Sequence, residues 1–301
     1  MSTPEHNTSD ERAAWSSRSL GSRFQHQCFY ILIRLGGRRA AGVLLRVVVF
    51  WYVLFYRSVR RNADHYLRRR FPQHRGLRRW FDCYRLCLTF GRILVDRAAA
   101  GILGPGEFDI RFDRKQDLLD LVAQDRGLII ILAHAGCWQV ALSGMDFKQT
   151  TVNMLMRQED GDVDRQYYEH AGIERPYHII DPDSWMGGAI EMLQVLEHGQ
   201  ILCVMGDRVH GGSRLQAEFL NAPASFPVSA FRLASSTGVP CVVLLSHKDG
   251  HSRYVMELAA RIDVPAGLGH DAEAYRPYLR QFVDVLQDYV HDHPWQFFNF
   301  Y

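Results

Sequence analysis

Residues 128–133 read LIIILA, six consecutive apolar residues that stop at a histidine. A run of this length without polar alternation is typical of a strand that is buried on both faces of a parallel sheet. Similar short runs recur downstream, each ending before polar or glycine-rich residues. The predicted strands are 128–133, 151–156, 177–180, 201–205, 241–246 and 254–259.

Segments with helical spacing of apolar residues lie between these runs. The predicted helices are 138–146, 163–171, 187–198, 227–237 and 274–291. Alternation of strands with helices predicts an α/β fold with a mainly parallel central sheet flanked by helices. Ligands of such sheets bind outside the carboxyl ends of the strands.

Polar residues follow several predicted strands at that edge. His134 ends the first strand, Arg157 and Asp181 follow later ones, and MGDR (205–208) follows the 201–205 strand. A histidine so placed could act as a general base if its second ring nitrogen is hydrogen-bonded. Gln139 begins the next helix and could reach the imidazole, because helical side chains lean toward the N-terminus.

The N-terminal third has a different pattern. Residues 1–26 are polar, and residues 27–103 are predicted to form a membrane-associating, arginine-rich helical region ahead of an α/β domain at 104–301. Residues 27–301 are expected to be one continuous unit. Within 28–56 the longest uninterrupted apolar run is 47–56, about half of the ~20 residues that cross a bilayer. The pattern favours a hairpin or a tilted interfacial helix, with its arginines at the headgroups, over a span.

Residues 57–103 are predicted to form two helices that break near FPQHRG (71–76). Ten arginines lie between Arg57 and Arg85, against two aspartates. Because arginine binds phosphate through a planar fork, this block suits an anionic membrane or a nucleic acid. A solvated helix face explains it equally well.

Several classes of site have no support. The six cysteines are scattered and include no C-x-x-C pair, so no disulfide framework or zinc site is indicated. The histidine pairs 247/251 and 291/293 have no acid or cysteine on the same helix face, and no metal or cofactor is expected. P-loop, dinucleotide-binding and serine-hydrolase motifs are also missing from the sequence.

Six segments in order resemble the lysophospholipid acyltransferase superfamily, and most closely its late acyltransferases of lipid A biosynthesis. The segments are RNADHYLRRRFP (61–72), HAGCWQ (134–139), MLMRQED (154–160), MGDRVHGG (205–212), FLNAPASFPVSAFRLASSTGVPCV (219–242) and HPWQFFNFY (293–301). HAGCWQ is similar to the family's histidine motif, which ends in an acid. MGDRVHGG stands where the family has a PDQ-like segment.

The resemblance implies transfer of a fatty or polyene acyl group from an acyl carrier protein or coenzyme A thioester to a hydroxyl or amine of a lipid acceptor. It implies His134 as general base and Arg157 and Arg208 as substrate-binding residues, with Gly136 and Trp138 in the same motif as further contacts. An ion pair of Arg157 with Glu159 or Asp160 is an equally good interpretation. The expected location is the cytoplasmic face of a bacterial inner membrane, peripheral or monotopic, with no nucleic-acid partner.

Gln139 departs from the family pattern, because it stands where the family carries an acid. A neutral amide can accept a hydrogen bond from the imidazole but cannot stabilise its charged form by charge. Three interpretations follow. Asp207 supplies the acid, or the Gln139 carbonyl suffices, or the protein is a weak or non-catalytic lipid-binding scaffold.

Overall fold

The computed structural model describes residues 23–143, 150–157, 177–209 and 212–299. The N-terminal third forms three long helices. They are α1 (Arg23–Phe55), α2 (Arg57–Arg70) and α3 (Gly76–Leu103). Helix α1 is broken at Gly37, whose φ of 62° and ψ of −169° lie outside the helical region. The predicted break near FPQHRG is confirmed. The sequence predicts a hairpin or a tilted interfacial helix for residues 28–56, and residues 28–55 lie within the kinked helix α1. The interfacial placement of this helix stays a prediction.

A seven-stranded sheet follows, with a separate two-stranded hairpin. The strands are β1 (Asp109–Asp113), β2 (Leu128–Leu132), β3 (Val152–Leu155), β4 (His178–Ile180), β5 (Ile201–Met205), β6 (Arg214–Phe219), β7 (Ala222–Pro227), β8 (Cys241–Asp249) and β9 (Arg253–Ile262). The large sheet has the order β1-β9-β8-β2-β5-β3-β4, and β6 pairs with β7. Strands β8, β2, β5, β3 and β4 are mutually parallel, and β9 runs antiparallel to β8.

The predicted α/β class with a mainly parallel sheet is confirmed, and each of the six predicted strands is present within a few residues. Strand β1 and the β6–β7 hairpin were missed. The remaining α-helices of the described residues are α4 (Lys115–Val122), α5 (Trp138–Ser143), α6 (Ala189–Glu197), α7 (Ser229–Thr237) and α8 (Arg276–Asp292). The helix predicted at 163–171 lies outside the described residues, as does the end of the one predicted at 138–146.

The packing of β2 explains why its residues are all apolar. Ile129 and Ile131 pack into the larger core cluster, which includes the N-terminal helices, while Leu128, Ile130 and Leu132 pack into a second cluster with α4. All five residues are buried because both faces of the sheet are covered.

A buried group of charges connects α1 to the sheet. Asp96 on α3 accepts hydrogen bonds from Arg38, Lys248 and the Tyr254 hydroxyl, the last at 2.7 Å. The guanidinium of Arg38 also lies over the ring of Phe108, 4.5 Å from its centroid. Arg38 was expected at lipid headgroups, but its side chain is only 8 % exposed, because Asp96 offers a buried counter-charge.

Within the described ranges, no single helix has both the length and the apolar composition of a membrane span. One bent pair, Gln25–Phe55 with Arg57–Arg70, meets that criterion jointly across a bend of 91°.

Replacing Asp96 with alanine should destabilise the protein by about 3–5 kcal/mol, because Arg38 and Lys248 then lose their buried counter-charge. Denaturant unfolding of the purified protein in detergent measures the loss. Asp109→Ala is the matched control, since it breaks only the exposed pair with Arg253 and should leave the midpoint nearly unchanged. Equal midpoints for the two variants would contradict a structural role for the buried group.

Candidate active site

The parallel register of β2 and β5 brings two polar residues together at the carboxyl edge of the sheet. Leu132 lies opposite Met205, the last pair of the ladder. The Gly206 N–H continues it by donating to the Leu132 carbonyl at 2.8 Å. His134 lies two residues beyond Leu132, and Asp207 lies two residues beyond Met205. The register therefore places the two residues side by side.

Asp207 holds the imidazole of His134. Its Oδ1 lies 2.9 Å from Nδ1. Burial alone would raise the pKa of this carboxyl, but the neighbouring His134 and the positive charge of Arg208 outweigh it and hold the pKa below its ordinary value. An ionised carboxylate can only accept, so Nδ1 carries the proton and Nε2 of the neutral ring is left with its lone pair.

The two members of the pair differ in exposure. Asp207 is 3 % exposed, whereas the His134 side chain is 27 % exposed. The second carboxylate oxygen, Oδ2, is buried and has no hydrogen-bond donor among the described residues. The pair is therefore a charged group at the back of the site with a partly accessible imidazole in front of it.

The turn after His134 requires glycine at position 136. Its φ is 57°, and a Cβ built there would lie 1.8 Å from the Ser246 carbonyl oxygen. The turn also uses its own amides. The Ala135 N–H donates to the Ala133 carbonyl, and the Gly136 N–H donates to the Gln296 carbonyl. The amides of residues 135 and 136 are therefore already bonded within the protein.

Gln139 and Trp138 begin α5, directly after this turn. The Gln139 Oε1 accepts from the Cys137 thiol at 3.8 Å, while the Nδ1 bond of His134 goes to Asp207. Of the two candidate partners, the structure thus places the acid at the imidazole. Trp138 is 8 % exposed and packs against Tyr177 in the second core cluster. Its predicted substrate contact stays a prediction.

Arg157 follows β3 at the same edge. Its guanidinium forms a two-point ion pair with Asp183, Nε to Oδ2 at 2.6 Å and Nη2 to Oδ1 at 2.7 Å. Glu159 and Asp160, the partners suggested by the sequence, lie outside the described residues. Both members of the observed pair are about half exposed, so Arg157 remains accessible to an anion.

The C-terminal segment lies against the pair, which the sequence did not predict. The Phe298 N–H donates to the His134 carbonyl at 2.7 Å, and Arg208 Nη2 donates to the Phe298 carbonyl at 2.8 Å. Asn299 Nδ2 donates to the Asp207 carbonyl, also at 2.7 Å. The only sequence signal was the aromatic ending HPWQFFNFY, which resembled a family segment without indicating what it contacts.

The arginine block has a mixed role. Arg60, Arg70 and Arg79 donate to backbone carbonyls at the ends of helices or in the turn after α2. The other seven are exposed, namely Arg57, Arg61, Arg68, Arg69, Arg75, Arg78 and Arg85. Part of the block is therefore structural, and part forms a positively charged surface.

Metal ligation has no support in the described ranges, where no group of three His, Cys, Asp or Glu side chains could hold an ion. The histidines whose spacing suggested metal pairs are arranged differently. His247 stacks on His293 with ring centroids 3.9 Å apart.

An ionised carboxylate lies behind a partly accessible imidazole at the carboxyl edge of an α/β sheet, an arrangement that suits acid–base chemistry. The chain belongs to the bacterial lipid A biosynthesis acyltransferase family, whose model matches residues 27–301. It is therefore a lipid acyltransferase, as the resemblance of its motifs implied.

Solved structures also match this chain. The crystal structure of the 1-acyl-sn-glycerophosphate (LPA) acyltransferase PlsC from Thermotoga maritima matches with a TM-score of 0.39 and 15% sequence identity. The match covers 83% of this chain and 96% of that one. No curated protein sequence matches this chain.

Gly136→Ala should destabilise the protein well beyond a matched glycine. Gly76 has nearly the same φ, 53°, but its Cβ would meet nothing within 4 Å. Gly76→Ala should therefore cost only the left-handed strain of about 1–2 kcal/mol. Gly136→Ala adds a collision with the Ser246 carbonyl, about 1–3 kcal/mol more. Denaturant midpoints in detergent compare the two, and equal losses would show that the turn has room for a side chain.

Proposed function

We propose that this acyltransferase moves a fatty or polyene acyl group from a thioester to a hydroxyl or amine of a lipid acceptor, with His134 as general base. The observation that carries the proposal is the hydrogen bond between His134 Nδ1 and the buried carboxylate of Asp207. This bond leaves Nε2 as the proton acceptor of a partly exposed ring.

The reaction follows from that tautomer. Nε2 takes the proton of the acceptor hydroxyl as its oxygen attacks the thioester carbonyl. The tetrahedral intermediate collapses, the C–S bond breaks, and the imidazolium returns the proton to the departing thiolate. Asp207 stabilises the imidazolium between the two proton transfers, because only in that interval do both His134 and Asp207 carry a charge.

Arg208 is our candidate for stabilising the oxyanion of the intermediate. It follows Asp207 directly, and its positive charge already acts on that carboxylate. The backbone N–H groups of Ala135 and Gly136 compete less well for this role, since each donates to a backbone carbonyl.

Arg157 is our candidate for binding a phosphate, in the donor's phosphopantetheine arm or in the acceptor headgroup. Its guanidinium presents a planar fork to Asp183, which is the geometry that also suits phosphate. A phosphate would have to displace Asp183 or share the arginine with it. Replacement of Arg157 is therefore expected to weaken substrate binding more than turnover.

The donor we propose is an acyl carrier protein or acyl-coenzyme A, and no cofactor or nucleic acid is part of the proposal. The family name supports a lipid A precursor as one acceptor class to test. A non-catalytic lipid-binding scaffold is the alternative, and its support is Gln139 in place of the motif acid. The Asp207 carboxylate at Nδ1 argues against that alternative. It supplies the negative charge that Gln139 lacks, from the segment after β5.

Asp207→Asn should lower kcat far more than Gln139→Ala, because only Asp207 stabilises the imidazolium by charge. His134→Ala should abolish transfer while the protein stays folded. Gln139→Glu should retain or raise activity. The assay incubates detergent-purified full-length protein with radiolabelled fatty-acyl carrier protein, or fatty-acyl-CoA, and a lipid A precursor or a lysophospholipid, and separates the products by thin-layer chromatography.

Near-normal turnover by His134→Ala would remove the base assigned here. If Gln139→Ala were the more damaging of the two partner variants, the amide would be the true partner. Inactivity of the wild type and all variants with every donor and acceptor would favour the scaffold.

We further propose that the N-terminal helices hold the protein on the cytoplasmic face of a bacterial inner membrane, peripherally or as a monotopic protein. Exposed apolar side chains from α1 and α3 lie together there. Phe50 packs edge-on against Trp80, 5.5 Å between ring centroids, and Trp80 against Phe81. Trp51, Phe55 and Leu77 are also exposed, the last by 79 %. Exposed arginines of α3 and of the intervening helix α2 suit anionic headgroups.

High salt alone should release little protein from membranes and detergent most of it, because apolar contact is not screened. Each surface arginine contributes only about 1 kcal/mol, and salt screens that part. Replacing Leu77 and Phe81 with serine should increase release at high salt, as measured by immunoblot of sedimented membranes. The control pair is Trp185 and Met186, which are exposed on another part of the chain. Equal release from both double variants, or wild type found wholly in the supernatant at low salt, would contradict this attachment face.

A further inference from the structure

We name residues 296–299 the C-terminal clasp. They hydrogen-bond to the segment after β2, which carries His134, and to the segment after β5, which carries Asp207. We infer that the clasp is a positioning element for catalysis and that Asn299 is its key side chain. The inference rests on the proposed function of the pair, and it assigns no contact between the clasp and substrate.

The clasp is itself firmly held. The side-chain amide of Gln296 makes two hydrogen bonds with the backbone of Lys248, accepting from its N–H at 2.7 Å and donating to its carbonyl at 3.0 Å. Phe297 and Phe298 are buried, and their rings contact Tyr66 and Phe90 of the N-terminal helices. Just ahead of the clasp, the Tyr66 hydroxyl donates to the Pro294 carbonyl at 2.6 Å. A segment anchored in this way can hold the backbone that it bonds to in a fixed position.

On the histidine side, the clasp continues the sheet where β2 has ended. Ala135 and Phe297 form an antiparallel bridge. The Phe298 N–H donates to the His134 carbonyl, and the Gly136 N–H donates to the Gln296 carbonyl. The His134 carbonyl and the turn that follows it are therefore bonded to the clasp.

On the aspartate side, the contact depends on one side chain. The β2–β5 ladder ends with the bond from the Gly206 N–H to the Leu132 carbonyl. Asp207 and Arg208 lie beyond it, where the clasp supplies two bonds. Arg208 Nη2 donates to the Phe298 carbonyl, and Asn299 Nδ2 donates to the Asp207 carbonyl. Because the Asn299 amide ties the clasp to the Asp207 backbone, its loss should let the carboxylate move relative to the imidazole.

The test changes the donor at position 299 while keeping the rest of the clasp. Asn299→Asp has nearly the same shape but lacks the N–H donor, and Asn299→Ala removes the side chain. Both should lower kcat by between about tenfold and a hundredfold with KM within about twofold, since a small misplacement of a base has effects of this size. Asn299→Gln keeps an N–H donor and should recover much of the rate.

Gln287→Ala is the matched control. It removes another half-buried side-chain amide that bonds to a backbone group, the Leu220 N–H at 3.1 Å, away from the pair. Its kcat should equal that of wild type. Turnover is measured with the radiolabelled acyl-thioester assay described above, and thermal midpoints are recorded for every variant.

The outcomes separate this inference from the proposed function. If Asp207→Asn and His134→Ala are inactive but both Asn299→Asp and Asn299→Ala turn over like wild type, the positioning role is wrong and the pair stands. If Asp207→Asn is as active as wild type, the proposed function fails first. A loss of activity in the Asn299 variants that follows a matching loss of thermal stability, without recovery in Asn299→Gln, would show that the clasp is only structural and would overturn the inference.

Discussion

Parallel pairing of β2 with β5, in the register that sets Leu132 opposite Met205, is the constraint on which the site depends. Because parallel strands end at the same edge, a residue two positions past one strand meets the residue two positions past its neighbour. A slip of one residue would turn Asp207 toward the other face of the sheet. The buried side chains on both faces of β2 and β5 prevent such a slip, since each residue has its place in a core cluster.

This register lets the negative charge beside the imidazole come from outside the histidine motif. The last position of the motif, where the family carries an acid, is Gln139, whose amide oxygen accepts from the Cys137 thiol. The negative charge comes from Asp207 on the adjacent chain segment. Burial of that carboxylate is costly by itself, and His134 and Arg208 compensate it well enough to hold its pKa below the ordinary value. The site thus keeps an ionised partner for the imidazole even though the motif has lost its acid.

Distant parts of the chain hold this edge in place. The C-terminal clasp bonds to the backbone around His134 and Asp207, and it rests on aromatic rings of the N-terminal helices. Those helices are tied to the sheet a second time through Asp96, Arg38 and Lys248. The proposed membrane-facing helices and the proposed catalytic pair are therefore mechanically connected by buried contacts, and an apolar patch on the first can be rigidly placed relative to the second.

The sequence by itself determined the strand-and-helix alternation, the mainly parallel sheet, the edge on which His134, Arg157 and Asp207 stand, and the family. The alternation, the sheet and the edge follow from local periodicity and from the rule that parallel strands end together, whereas the family follows from the resemblance of six motifs. None of these needs knowledge of long-range packing. The tertiary structure decided which candidate reaches Nδ1, because that choice depends on strand order and register. It also decided that Arg38 is buried beside Asp96 and that Asn299 contacts Asp207, 92 residues away in sequence. Contacts of this kind leave no periodic trace in a sequence, since they are made when separate elements pack and their charges and backbone groups must find partners away from water.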